Sequence, residues 1–300
     1  MRRIAKEAVE DAAAEGIRLL ELRYAPSFIA MGHEHPFDDV LRAVQAESHR
    51  PQTPLEPYLT RTVASQDGIE EAKEQHAVEV GLICIAVAAM GSEEVDRTVH
   101  HAVQHGRNGY VGFDVAGAPT NLAQWAPAFR RIAEETDLGL TCHAAEDAGS
   151  SPWDAVTAIE ELGCSRVGHG IQARPRQPKL EALNLTLISV HMQIVHDAEA
   201  MQRVVEHGVV LEVSATSNWL TSSVPSMQAH PARMLFEAGV RVCVNTDDPG
   251  IMHIDLPGEY QIWRDVLGFS VEELKQTNAW ALEASFVTEE TKQLVREHFV

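Results

Sequence analysis

Cysteine is scarce in this chain: only four of 300 residues, at 84, 142, 164 and 243, and no two of them form a C-x-x-C pair. Neither a disulfide framework nor a thiolate zinc knuckle is indicated, and the four read as reduced core residues. Positive charge is short as well, with 24 Lys and Arg against 44 Asp and Glu and a formal charge of -20. Phosphate contacts need clustered Lys and Arg, so no nucleic-acid partner is expected, whereas a small neutral or cationic ligand is easily accommodated. No apolar run is long enough to span a bilayer. The opening MRRIAKEAVEDAAAEG is an acidic amphipathic pattern without the apolar stretch of a signal peptide. A soluble, cytoplasmic protein with no membrane partner is the expectation. No G-x-G-x-x-G turn supports dinucleotide binding, and the zinc-binding combination of H-x-E with P-C-x-x-C is missing.

What is present is alternation. Short, nearly continuous apolar runs occur at 17–25, 78–89, 109–117, 138–146, 165–170, 208–216 and 240–248, as parallel strands buried on both faces require. Between them lie amphipathic stretches such as DRTVHHAVQHG, APAFRRIAEETD, PWDAVTAIEELG and HPARMLFEAG, each stopping near Gly or Asp. Polar chemistry gathers where the runs end: RYAP, DVAG, CHAAE, GHG, SATSN and NTDDP. That distribution favours a (β/α)₈ barrel, whose functional residues sit at the C-terminal ends of many strands, over an open doubly wound sheet. One domain spanning 1–300 follows, an α/β barrel of TIM type with seven strands visible and one missing. Two segments break the pattern, 46–66 with its three prolines and 174–196, locally basic, and both are expected as loops inserted outside the barrel frame.

The strand ends carry candidates. His143 ends a strand and can point into the barrel mouth, while Glu146 lies three residues on, where the chain turns. His169 stands between two glycines, which leaves its ring open to the mouth. Asp247 and Asp248 are adjacent carboxylates after a mostly apolar run. Successive strand side chains face opposite ways, so one should bind a cation and its neighbour something else. His33-x-His35, in AMGHEHPF, has the spacing of a metal pair, since i and i+2 of an extended segment point alike.

The stretches ELRYAPSFIAMGH, GFDVAG, TCHAAEDAG, RVGHGI, LEVSATSNWLT and AHPARMLFEAGVRVCVNTDDPGI resemble, in order and spacing, the adenosine deaminase family, its bacterial members above all. The resemblance spans most of the chain outside the two odd segments. It implies a barrel of the metal-dependent amidohydrolase type with one Zn²⁺ and a neutral purine nucleoside as substrate. It further implies His143 and Asp247 as zinc ligands, Glu146 as the acid that protonates the purine ring nitrogen, and His169 as the group that orients the zinc-bound water and shuttles its proton. Asp248 would bond the imidazole nitrogen of the purine, and the backbone at Gly117 would contact the pyrimidine side. The chemistry asks for these types. Zinc lowers the pKa of water to about 7, and a protonated carboxyl beside the ring nitrogen makes the ring electrophilic.

In the resembling enzymes the first strand ends in an H-x-H pair that supplies two further ligands, and this sequence opens on what resembles the helix before the second strand. His33 and His35 follow that second strand, which places them in a loop over the mouth, outside the metal sphere. The expectation is therefore a barrel lacking its first strand, with exposed strand edges open to self-association, and an activity compromised by the two missing ligands. Hydrolytic deamination of adenosine or deoxyadenosine stands beside two alternatives: a non-catalytic homologue that binds purines or a partner, and a deaminase of adenine or aminofutalosine. GAPTN after Gly117 departs from the acidic residues usual there.

Overall fold

The computed structural model describes residues 2–31, 36–48, 78–117, 121–147, 150–171 and 197–297. Within them every expected apolar run forms a strand: β1 (Leu19–Tyr24), β2 (Glu79–Val87), β3 (Gly112–Ala116), β4 (Gly139–Leu140), β5 (His143–Ala144), β6 (Arg166–His169), β7 (Val210–Val213) and β8 (Arg241–Val244). All pairings are parallel, in the order β1-β2-β3-β4 and β5-β6-β7-β8. Residues 139–144 are one line of chain that serves both groups. Thr141 N donates to Phe113 O at 3.0 Å on one side, and Gly168 N donates to Cys142 O at 2.9 Å on the other.

The helices between the strands follow the amphipathic stretches. They are α1 (Arg2–Ala14), α2 (Pro26–Ala30), α3 (Phe37–Ser48), α4 (Ser92–His105), α5 (Ala126–Glu135), α6 (Pro152–Glu160) and α7 (Ala198–His207). After β7 come α8 (Ala215–Leu220) and α9 (Ala232–Glu237), then, past β8, α10 (Pro249–Met252), α11 (Leu256–Asp265), α12 (Val271–Ala284) and α13 (Glu289–Arg296). Starts are fixed by caps where the sequence offers them: Ser151 with Asp154 and Ser270 with Glu273 form capping boxes on α6 and α12, and Asp197 caps α7. Such parallel strands with helices between them make the chain an α/β fold of TIM-barrel type, and the four cysteines are buried and unpaired. Of the expected insertion 46–66 only residues 46–48 are described, where they complete α3; residues 174–196, and His33 with His35, lie outside the described residues.

Curvature of the sheet shows in its interior. Glu21 and Arg23 on β1 share a face and reach strands far along the order. Arg23 Nη1 lies 2.9 Å from Asp114 Oδ2 on β3 and Arg23 Nη2 lies 2.6 Å from Glu212 Oε2 on β7. Arg166 on β6 pairs with Glu21 and, at 2.7 Å, with Glu212 Oε1. Below this network Phe286 closes the N-terminal end of the barrel: the Arg166 guanidinium stacks 3.7 Å from its ring centre, and Gly112 and Gly139 open β3 and β4 against its ring. A side chain at Gly139 would come within 2.0 Å of that ring, so the position has no room for a methyl group. Among the described residues β1 pairs only with β2 and β8 only with β7, so these two strands carry the edges.

Burial pushes the Glu212 carboxyl up, but Arg23 and Arg166 outweigh it and hold it below the usual carboxylate range. The pairs therefore stabilise the fold above the unfolded-state pKa of about 4.3, and their contribution is lost as acid protonates the group. Glu212→Gln, which keeps the shape and removes the charge, is expected to lower unfolding stability by about 3 kcal/mol near neutral pH. Urea unfolding should show the gap closing below about pH 4; equal stability of the two proteins at pH 7 would contradict this account.

Candidate active site

The candidate residues stand at successive C-terminal strand ends. His143 opens β5, and its neighbour Ala145 adopts a left-handed φ of 50°, which turns the chain so that Glu146 comes back toward the mouth. His169 ends β6 at φ 62°, and Asp247 follows β8 at φ 61°. Such conformations cost a non-glycine residue about 1–3 kcal/mol each. Three of them, at the ends of β5, β6 and β8, mark backbone that the rest of the barrel holds in place. Gly117 lies just past β3 at φ 67°, exposed, and Asp248 leads into α10.

These side chains converge on His169. Its Nε2 is 3.5 Å from Glu146 Oε1 and 4.0 Å from Asp247 Oδ2, and its ring centre is 5.3 Å from that of His143. The sequence led us to expect an open ring flanked by glycines. Instead the His169 side chain is 4% exposed, and Gly168 packs beside His143, where an added Cβ would meet its backbone and ring at ordinary contact distance. The strand-parity argument for Asp247 and Asp248 also needs correcting. β8 ends at Val244, so both carboxylates lie in the turn beyond it, where strand alternation does not apply. Asp247 Oδ2 accepts a 2.6 Å hydrogen bond from Ser217 Oγ, whereas burial and the Asp247 charge raise the Asp248 pKa.

A directional chain of hydrogen bonds fixes the His169 tautomer. The Ala232 N–H can only donate, so His230 Nδ1 accepts it at 3.2 Å and the His230 proton sits on Nε2. His230 Nε2 then donates to Asn218 Oδ1 at 3.2 Å, which turns Asn218 Nδ2 toward His169 Nδ1 at 3.0 Å. His169 Nδ1 is thereby an acceptor, and the proton of the neutral ring is on Nε2, facing Glu146 and Asp247. Burial supports the neutral forms: it lowers the His230 pKa to about 3 and, with His143 adding to it, lowers that of His169.

His143 is governed from behind. Its Nδ1 lies 3.0 Å from Asp114 Oδ2, which leaves Nε2 for the mouth, the arrangement of a metal-binding histidine with a carboxylate partner. Burial lowers the His143 pKa, but the Asp114 carboxylate more than offsets this and raises it to about 9. Asp114 itself is fully buried, and His143 and Arg23 hold it well below the usual carboxylate range against the effect of burial. His143 has one oriented imidazole nitrogen and Asp247 one carboxylate, donor types that a catalytic zinc can take among its three protein ligands. Among the described residues the one group of three His, Cys, Asp or Glu donors within 4.8 Å of one another lies elsewhere, at Asp38, His101 and His105.

The sequence reading passed over Asp114, Ser217, Asn218 and His230. Asp114 had a signal, a carboxylate in the middle of the buried run GFDVAG. Ser217 and Asn218 belong to the polar strand end SATSN, and only the fold shows which atom each one meets.

The family model for adenosine deaminase matches residues 1–299. An adenosine deaminase of Shewanella denitrificans is 31% identical over 298 residues, 98% of this chain and 75% of that protein. One of Plasmodium gallinaceum is 30% identical over 297 residues, 98% of this chain and 70% of that protein. The chain belongs to the adenosine deaminase family. As a member it is a hydrolase, and it spans about three-quarters of the length of these relatives. Solved structures agree on the fold. An adenine deaminase from Arthrobacter aurescens superposes with a TM-score of 0.76 at 21% identity, over 99% of this chain and 77% of that one. A Burkhoderia ambifaria amidohydrolase with bound Zn gives 0.74 at 21%, over 99% and 71%. Arabidopsis ADAL complexed with IMP gives 0.69 at 22%, over 99% and 76%.

Because the Asp114 carboxylate is what raises His143, Asp114→Asn should drop the His143 pKa from about 9 to below its ordinary 6.5, burial being left to dominate. The wild-type pair contributes stability fully present below about pH 6.5 and lost as pH rises through about 9, and the variant should lose that pH dependence. Histidine NMR titration of the metal-free protein reads both; a His143 pKa near 9 in the variant would refute the assignment.

Proposed function

We propose that the chain is a zinc-dependent aminopurine deaminase whose substrate is a neutral purine nucleoside, adenosine or deoxyadenosine, converted to inosine or deoxyinosine with release of ammonia. The observation that carries this reading is the convergence of Glu146, Asp247 and the His143 ring on His169 from the ends of β5, β6 and β8. His143 and Asp247 would hold the metal, which when bound supplies a nucleophile at neutral pH by lowering the pKa of water to about 7. The Asp114 carboxylate keeps the His143 Nε2 aimed at the mouth. Glu146, on the turn after β5, would present its proton to the ring nitrogen next to the reacting carbon. His169, with Nδ1 held by Asn218, presents its Nε2–H to the mouth, where it would donate the hydrogen bond that orients the attacking oxygen. Asp248, its pKa raised, would share a hydrogen bond with the purine imidazole nitrogen, and the Gly117 backbone would meet the other edge of the base.

Two further features fit this reading. The relatives carry the adenosine deaminase name, and a neighbour of the same fold is complexed with the purine nucleotide IMP. Four buried, unpaired cysteines suit a reducing compartment, so we place the protein in the cytoplasm; among the described residues no helix is long and apolar enough to cross a membrane.

Ammonia release from adenosine, deoxyadenosine, adenine and aminofutalosine, measured on protein of known zinc content, tests the proposal. The nucleosides are expected to be preferred, and Glu146→Gln should cut kcat by about 10²–10⁴-fold while purine binding persists. Purine binding without ammonia release from any substrate at full zinc occupancy would sink the catalytic reading and leave a binding protein.

We also propose self-association through the edges of β1 and β8, whose outer sides meet no strand among the described residues. Sedimentation velocity should show a dimer or larger species; a monomer across a wide concentration range would end that proposal.

A further inference from the structure

Away from the mouth, α3 and α4 bring three metal-ligating side chains together. His101 and His105 stand four residues apart on α4, so both imidazoles lie on one helix face, and Asp38 approaches them from the first turn of α3. Asp38 Oδ1 is 3.3 Å from His101 Nδ1 and 3.0 Å from His105 Nε2, and the three donors all lie within 4.8 Å of one another. Bonds of about 2.0–2.1 Å to a tetrahedral zinc put neighbouring donors about 3.3 Å apart. The carboxylate already stands at that spacing from both imidazoles.

We propose that Asp38, His101 and His105 form a second metal site, for a divalent transition metal of the zinc type, that clamps α3 to α4 with water completing the coordination. Imidazole nitrogen with one carboxylate oxygen suits zinc, nickel or cobalt better than the oxygen-loving magnesium or calcium. His101 is buried, and burial together with His105 lowers its pKa to about 4 against the pull of Asp38, so the ring is neutral at neutral pH and metal binding needs only the tautomer that carries its proton on Nε2. The other nitrogen is held from behind. His101 Nε2 lies 2.9 Å from the Tyr110 hydroxyl, itself 3.0 Å from the Tyr24 hydroxyl. With Nδ1 on a metal, Nε2 donates to the Tyr110 oxygen and the Tyr110 hydroxyl donates its hydrogen bond to Tyr24, which leaves no polar atom in the row unpaired. Phe37 packs edge-on to the His101 ring at 5.5 Å and fixes its plane. The side chains of Asp38 and His105 are 43% and 25% exposed, which gives an ion its way in.

The site shares no residue with the mouth, so it stands or falls apart from the deaminase reading. Cobalt(II) titrated into the metal-free protein, followed by visible absorption and by equilibrium dialysis, tests it. Wild type and a His143→Ala, Asp247→Ala double variant should both take up tetrahedral cobalt. Asp38→Asn and His105→Gln should weaken that uptake on the order of a hundredfold, and Tyr110→Phe by about tenfold, circular dichroism confirming that each is folded. Uptake unchanged in Asp38→Asn and His105→Gln would overturn the proposal and leave a carboxylate merely hydrogen-bonded to two imidazoles. A second measurement decides the same point: zinc added in excess of two equivalents should shift the ¹⁵N resonances of His101 Nδ1 and His105 Nε2 in the wild-type protein, and unshifted resonances would equally refute the site.

Discussion

The rest of the structure depends on a buried ionic network inside the barrel. Three carboxylates, Glu21, Asp114 and Glu212, face two guanidiniums, Arg23 and Arg166, across β1, β3, β6 and β7. Buried charges are tolerated only when paired with good geometry, and a set with one carboxylate too many is not at rest by itself. The missing positive charge is met at His143, among the described residues the one further side chain that forms an ion pair with Asp114, and this is why burial fails to lower its pKa. Fold and site are therefore coupled through a single carboxylate. Asp114 ties β1 to the interior through Arg23 and, with the same oxygens, decides which way the His143 imidazole presents its other nitrogen.

The mouth gathers strain, and the interior absorbs it. Ala145, His169 and Asp247 adopt left-handed backbone at or just past β5, β6 and β8, where an L side chain is disfavoured. A residue holds such a conformation only if its surroundings over-determine it. Here they do: His169 is buried and bonded through Asn218, and Asp247 accepts from Ser217. The reach of the Ala232 amide through His230 and Asn218 to His169 shows how a backbone donor in one βα loop can set a proton's place in another.

The frame was legible because buried parallel strands must be apolar throughout, and each of the seven runs answers to a strand or to the split line β4–β5. That split was not legible: between β4 and β5 the ladder passes from β3 to β6, a property of two neighbours rather than of residues 139–144 themselves. The interior charges were missed for a related reason. A single Asp in GFDVAG or Glu in GVVLEVS reads as an interruption of an apolar run, and its meaning appears only when an arginine from a distant strand is placed opposite. The mouth residues His143, Glu146, His169 and Asp247 could be named from family motifs, but His169's burial and the turn that carries both aspartates come from the backbone beyond the strands. On α4, DRTVHHAVQHG showed an amphipathic helix, and its period already put His101 and His105 on one face; nothing in the sequence placed Asp38 opposite them.

One line of contacts joins the two ends of the barrel. Phe286 fills the N-terminal end against two glycines, Arg166 stacks on its ring and reaches Glu212, Glu212 meets Arg23, Arg23 meets Asp114, and Asp114 meets His143 at the mouth. Each link is a packed ring or a short ion pair, so displacement of one member must be taken up by the next rather than by solvent. Placing small glycines at one end is thus part of placing an imidazole at the other. A barrel whose chemistry lies on strand ends can vary its loops freely, but only while the charges beneath them keep their order.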